Sequence, residues 1–270
     1  TFFHSVVGKV LGVSYSLSVV DSTRTSRESF NQYGWCVWQR SIESATRLDC
    51  LSGSIADAMR SLFPRVPAIE ISLCSFTDYA KSRIASDKDF DIVFMGRLCK
   101  GKGLELFLDA LSLVEARGDH RVFDKIGIFG AGPLREFVDN RIKELSCLTV
   151  ECGYASDPFE VLSRAKIFLS LQEKENYPSQ SLLEAISCGA LVVATDVGET
   201  YRIVSDDVGF RVQPEPAALA DALVAALSLV KSKRFDGLVA SKAVRETHTV
   251  ERFTDYFADF LRRAKGCSFG

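Results

Sequence analysis

Residues 175–200 read ENYPSQSLLEAISCGALVVATDVGET, and their pattern decides the fold. Ser181 followed three places later by Glu184 has the spacing of a capping box, in which a hydroxyl and a carboxylate close the first turn of a helix. A short apolar helix follows, and Gly189 stands where a left-handed residue would end it. LVVAT (191–195) is then apolar throughout its first four positions, as strands covered on both faces are. KIFLSL (166–171) has the same character upstream, so strand, helix and strand make one right-handed parallel crossover.

The same alternation extends in both directions. DIVFM (91–95), KIGIF (125–129), LTVEC (148–152) and GFRV (209–212) are further strand candidates. Between them, Leu104, Leu108 and Leu111, and later Leu219, Leu223, Leu227 and Val230, recur at helical spacing. Pro216 sits where a helix would start, its fixed φ suited to the first turn. Residues 89–232 are therefore expected to form a doubly wound parallel sheet, whose ligands bind beyond the carboxyl ends of the strands. Residues 1–78 read as a smaller α/β piece, with a strand pair over 10–20, a helix through RSIESATR (40–47), a strand at LDCLS (48–52), a helix at SIADAMRSLF (54–63) and a strand near AIEIS (68–72). Polar residues 79–88 read as a linker, and 233–270 as helices packing back on the protein. In that last segment Phe253, Phe257, Phe260 and Leu261 form an apolar stripe followed by Arg262, Arg263 and Lys265. Packing of the stripe on the protein, with the cations at the helix's carbonyl end, is preferred to a membrane-surface helix.

A formal charge of -2 with mixed signs argues against nucleic acid as the main partner. Eight cysteines without a CxxC pair read as buried free thiols of a reducing cytoplasm. VVGKVLGVSYSLSVV (6–20) is too short and too polar for a membrane span and reads as core strand. The chain opens TFFHSVV, with no Met and no basic segment before an apolar one, so no signal peptide is expected and a missing start is.

Chemistry is sought in the loops after the strands. GRLCKGKG (96–103) nearly spells the phosphate loop of nucleotide hydrolases, but Gly103 stands where the magnesium-binding hydroxyl belongs. What remains is a loop opening a helix N-terminus, with Arg97 and Lys102 able to reach an anion; a solvated turn is the plain alternative. GAGP (130–133) places Gly130 on the same rim and Pro133 at a helix start, although a glycine turn can serve conformation alone. The DKD and DFD triplets at 87–91 precede a strand instead of following one, which disfavours a metal motif.

In this order, GRLCKGKG, GAGPLR, ENYPSQSLLEAISCGALVVATDVGET and GFRVQPEPAALADAL resemble the C-terminal domain of the retaining GT-B glycosyltransferases, the group 1 class of family four. The likeness covers about 89–232, with the helix around 253–261 fitting the family's terminal helix. It implies a GT-B-type α/β fold: a Rossmann-like donor domain beside an incomplete N-terminal Rossmann-like domain. The family's glycine-rich acceptor loop and catalytic-side histidine are not identifiable, since His4, His120 and His248 lie in no matching context.

The resemblance also assigns roles. Arg97 and Lys102 would hold the diphosphate of a nucleotide-sugar donor, and Glu184 would accept from the ribose hydroxyls. Glu175 would face the donor sugar, with the backbone of Asn176, Tyr177, Pro178 and Ser179 along it, while Gly153 and Tyr154 would flank the base. The family separates its two glutamates by seven residues and this chain by eight, so strict counting puts Asn176 in the sugar-facing slot. ENYP keeps the family's order of side chains and one extra loop residue costs little, so Glu175 is preferred and Asn176 is the alternative. No cofactor or metal is required on this reading. The expected partners are a nucleotide-diphosphate sugar and a hydroxyl acceptor, which in the family is often lipid-linked or a polysaccharide at the cytoplasmic membrane face. A non-catalytic nucleotide- or partner-binding fragment is the competing reading.

Overall fold

The computed structural model describes residues 15–20, 26–72, 77, 79–175, 177 and 179–265. The chain divides into two units, one of Thr1–Phe76 with Thr249–Gly270 and the other of Thr77–His248.

The first unit holds a parallel sheet of three strands among the described residues: β1 (Ser16–Val19), β2 (Arg47–Cys50) and β3 (Ala68–Ile71), in that order. Helix α1 (Gln32–Glu43) connects the first pair, and α2 (Gly53–Leu62) the second. The first helix starts earlier than the RSIESATR reading. The Asn31 side chain caps the Gly34 N–H, and Arg47 already belongs to β2. Ile42, Leu48, Met59 and Phe63 are fully buried between sheet and helices, and Trp35 stacks on Phe63 at 5.3 Å. Most of the stretch 6–20 lies outside the described residues; within it, 16–19 is strand.

The helix Val250–Lys265 belongs to this unit. Tyr256 donates its hydroxyl to the buried Asp49 at 2.6 Å, and Arg263 pairs with Glu70. Phe253 stacks on Phe257, and Phe260 is buried. Leu261 stands off the stripe, half exposed, because one residue past Phe260 turns a helix by about 100°. Among the described residues no helix is long and apolar enough to cross a membrane.

The second unit is a six-stranded parallel sheet. Its strands are β4 (Phe90–Met95), β5 (Ile126–Phe129), β6 (Val150–Gly153), β7 (Ala165–Ser170), β8 (Leu191–Thr195) and β9 (Gly209–Val212), and their order is β6-β5-β4-β7-β8-β9. The boundaries fall within two residues of the sequence reading. Ile92, Ile126 and Ile167 sit side by side in register, all fully buried. The helices in chain order are α3 (Leu104–Arg117), α4 (Arg135–Glu144), α5 (Pro158–Ser163), α6 (Gln180–Ser187), α7 (Pro216–Lys231) and α8 (Gly237–Thr247). Phe107, Leu111, Leu219 and Leu223 bury the apolar faces of α3 and α7. Pro216 opens α7 as expected, and Gly189 ends α6 with φ +69. Pro133 does not open α4, which begins two residues later.

The helices of the terminal segment 233–270 are shared between the two units. Ser241 and Arg245 of α8 donate to the Ser187 carbonyl, fastening that helix to the second unit, while the following helix joins the first. Residues 79–88, read from sequence as a linker, are bonded to the second unit. Tyr79 donates to the Val244 carbonyl, and the Lys88 ammonium to those of Ala165, Cys188 and Gly189 at 2.8, 3.0 and 3.0 Å. Lys88 thus serves the start of β7 and two carbonyls at the end of α6 that have no further turn to satisfy them.

Burial pulls the Lys88 pKa down from 10.5 to about 8. The unfolded chain therefore holds more protons between those values, and stability should rise with pH across that window. Urea midpoints from about pH 8 to 10.5 should show an increment that Lys88→Met lacks; parallel curves for the two proteins would contradict it.

The thiols are not uniformly buried. Cys50 and Cys188 are, whereas Cys36 and Cys147 are exposed and none of the described cysteines is in a disulfide; Cys74 and Cys267 lie outside the described residues. Of the aspartates at 87–91, Asp91 is fully buried against Lys166 and the Asp124 N–H, and Asp89 pairs with Arg164. These are structural pairs at the sheet's amino end.

Candidate functional site

The strand order reverses between β4 and β7, and the loops that leave these strands part there. A cavity of about 620 Å3 opens at this point. Its rim is built by backbone contacts between distant loops. After β4, Gly96 N–H donates to Phe129 and Leu98 N–H to Ala131, while Leu134 N–H returns to Leu98. The buried Leu98 side chain anchors this seam. Gly130 sits so close to it that an added Cβ would lie 1.9 Å from the Gly96 carbonyl oxygen, so glycine is required there by contact as well as by conformation.

The loop after β7 meets the same region from the other side. Glu173 N–H donates to Gly101, and the Leu171 carbonyl presses on Gly103. Gly103 has φ +71 and is the N-cap of α3 without any side-chain cap bond. The place of the hydrolase hydroxyl is therefore filled by another loop's backbone. Beside it, the Lys102 Nζ donates to Gln172 Oε1 at 2.9 Å. Burial holds the Lys102 ammonium below the usual lysine range, and the Arg97 cation pushes the same way.

The capping-box reading of Ser181 and Glu184 is overturned. The N-cap of α6 is Ser179, with no side-chain cap bond; its hydroxyl lies 3.3 Å from that of Ser181, which is in the first turn. Glu184 is thus one turn into the helix, and its Oε1 accepts from Gln180 Nε2 at 3.2 Å. Burial raises the Glu184 carboxyl above its ordinary value, with the Gln180 bond acting against it.

Arg97, Lys102, Gly130, Tyr154, Ser179 and Glu184 all line the cavity, joined by Gln172 and Ser181. Phe94, Met95, Phe129 and Leu169 supply apolar wall, and Tyr154, 77% exposed, supplies an aromatic surface. Gly153 is not in the lining; its carbonyl accepts the Gly130 N–H from behind. Tyr177 is buried outside the lining. Glu175 also lies outside it, because its Oε1 accepts the Glu199 N–H at 3.2 Å and its side chain packs on Gly198 in the turn after β8. Asn176 and Pro178 fall outside the described residues. Among the described residues no three His, Cys, Asp or Glu side chains are grouped to hold a metal ion.

Gln172 was not foreseen from sequence, though it obeys the rule that located the others: it lies just past the carboxyl end of a central strand. Together the side chains offer two cations, a half-buried carboxylate, an uncapped helix start and an aromatic surface. That set suits a ligand that is anionic at one part, hydroxylated at another and planar at a third.

A family model described as glycosyl transferases group 1 matches residues 89–228, more than half of the chain. Against curated proteins the sequence finds no match. Among solved structures it is similar to sucrose-phosphate synthase from Thermosynechococcus elongatus, with a TM-score of 0.79 and 17% identity over 99% of this chain and 73% of that one. It is also similar to HepE from Anabaena in complex with UDP, with a TM-score of 0.80 and 15% identity over 97% and 76%. A glycosyltransferase from Rickettsia africae gives a TM-score of 0.71 and 14% identity over 98% and 80%. At such identities these likenesses establish the fold, which is of the GT-B type.

Proposed function

The chain belongs to the group 1 glycosyltransferases, and from that premise we propose that it transfers a sugar from a nucleotide-diphosphate donor to an acceptor hydroxyl with retention of configuration. What carries the proposal is that Arg97, Lys102 and Glu184, three charged groups spread over 88 positions of sequence, line one cavity. The cations would hold the diphosphate, Glu184 the ribose hydroxyls, and Tyr154 the base. The HepE structures with UDP, and with UDP and glucose, support a donor of this class.

In the reaction the acceptor oxygen bonds to the anomeric carbon while the bond from that carbon to the diphosphate breaks. The electron pair leaves on the diphosphate, and the hydroxyl proton passes to it from the same face. Arg97 and Lys102 would stabilise the charge that develops there, the preorganised electrostatic contribution that dominates many enzymes and that here needs no metal. Glu175 would act on the sugar only after leaving the Glu199 N–H; in its present place it holds the 197–200 turn. The resemblance, rather than any surface of the molecule, motivates a lipid-linked or polysaccharide acceptor and a cytoplasmic location at the inner face of the membrane.

Calorimetry with UDP, GDP, their sugars and the free nucleosides tests the donor class. A folded chain that binds none of them would instead favour a non-catalytic fragment binding some other partner. Glu184→Gln should lower nucleoside affinity about tenfold at neutral pH, since a charged acceptor of the ribose hydroxyls is lost. In the unaltered chain affinity should fall on acidification at a pH above the ordinary carboxylate range, because burial raises the Glu184 pKa. A pH profile that Glu184→Gln leaves unchanged would remove Glu184 from the site.

A further inference from the structure

Gln172 is held at the cavity from several sides. The buried Thr195 at the end of β8 donates its hydroxyl to the Gln172 carbonyl at 2.6 Å. The next residue, Glu173, bonds through its N–H to Gly101, and the preceding one, Leu171, presses on Gly103. The two positions that flank Gln172 therefore grip the two that flank Lys102. Between them the amide oxygen meets the ammonium at 2.9 Å.

The chemical type of this acceptor matters. A carboxylate here would form an ion pair and present the incoming anion with a cation already neutralised. An apolar side chain would leave a half-buried ammonium without its acceptor. An amide oxygen directs the ammonium and leaves its charge whole. We propose that Gln172 is a positioning residue for Lys102, aiming the ammonium at the donor diphosphate while preserving its charge. The assignment rests on the proposed function and deepens it, since it explains how one lysine is held by an acceptor that does not neutralise it in a site that must bind an anion.

The test is calorimetry on the full chain and two variants, Gln172→Leu and the isosteric Gln172→Glu. The ligands are UDP and GDP with their free nucleosides, over a pH range spanning the titration of Lys102. Both variants should weaken the nucleoside diphosphate about tenfold near neutrality, as loss of a charged hydrogen bond or of its charge does, and leave the nucleoside within about twofold. Burial already depresses the Lys102 pKa. The alkaline limb, where Lys102 loses its proton and the diphosphate its partner, should move to lower pH in Gln172→Leu and to higher pH in Gln172→Glu. A merely structural glutamine would not move that limb in opposite directions. Unchanged diphosphate affinity in both variants, or limbs that shift together, would overturn the assignment alone. An unaltered chain that binds neither diphosphate overturns the functional reading, and the assignment with it.

Discussion

Lys102→Ala should weaken nucleoside diphosphate binding by about 1 to 3 kcal/mol and leave the free nucleoside bound as before. On the proposed role turnover should fall further, about 10²- to 10³-fold, because the ammonium would meet more charge on a departing diphosphate than on the bound donor. The difference between the two ligands is the informative quantity. Lys102 and Arg97 lie on the loop after β4, whereas Glu184 lies on α6, so a general collapse of the cavity would weaken nucleoside and diphosphate together. Matched titrations of the two ligands, followed by initial rates with whichever donor binds, decide it. Equal losses for both ligands would remove the diphosphate role from Lys102.

Gly103→Ala lowers the stability of the second unit by about 3 kcal/mol, the sum of forcing an L-residue into the left-handed region and overpacking a filled site. The backbone has φ +71, and the new Cβ would lie 2.2 Å from the Leu171 carbonyl oxygen, a backbone atom that cannot swing aside. In a unit of this size the loss corresponds to a fall in Tm of about 6 to 12 °C. Gly101→Ala supplies the control. Its φ is +83 but nothing lies within 4 Å of the added Cβ, so only the conformational part remains, about 1 kcal/mol. Similar losses at the two positions would mean that the Leu171 contact does not constrain the loop. Because Leu171 adjoins Gln172, Gly103→Ala should also displace the acceptor of Lys102 and weaken diphosphate binding in whatever fraction stays folded. Gly103→Ser meets the same obstacle and restores no magnesium-binding hydroxyl.

Much of this architecture was legible in the chain. β8 matches LVVAT because a strand buried on both faces is an unbroken apolar run, β9 matches GFRV as an edge strand with Arg211 exposed, and α7 starts at Pro216 because the fixed φ and missing N–H of proline suit the first turn. Where hydroxyls are spaced SQS, local chemistry does not choose between Ser179 and Ser181 as the cap. The choice of Ser179 moved Glu184 out of the capping role and into the cavity. The helix through Trp35 and Trp38 was placed too late, because its start depends on the Asn31 cap rather than on an apolar rhythm.

From its amino acids alone the chain determined a parallel sheet wound by helices and the loops on its rim, with two cations among them, and these are consequences of period and burial, which act over a few residues at a time. The place of Glu184 on that rim was implied by the family resemblance. Only the tertiary structure decided which rim groups meet. Lys102 and Gln172 are 70 residues apart and are joined because Gly103 leaves room for the Leu171 carbonyl. Glu175 lies outside the cavity lining, its carboxylate taken by a backbone N–H 24 residues later. No spacing within ENYPSQSLLE records either contact, since each depends on where a separate strand delivers its loop.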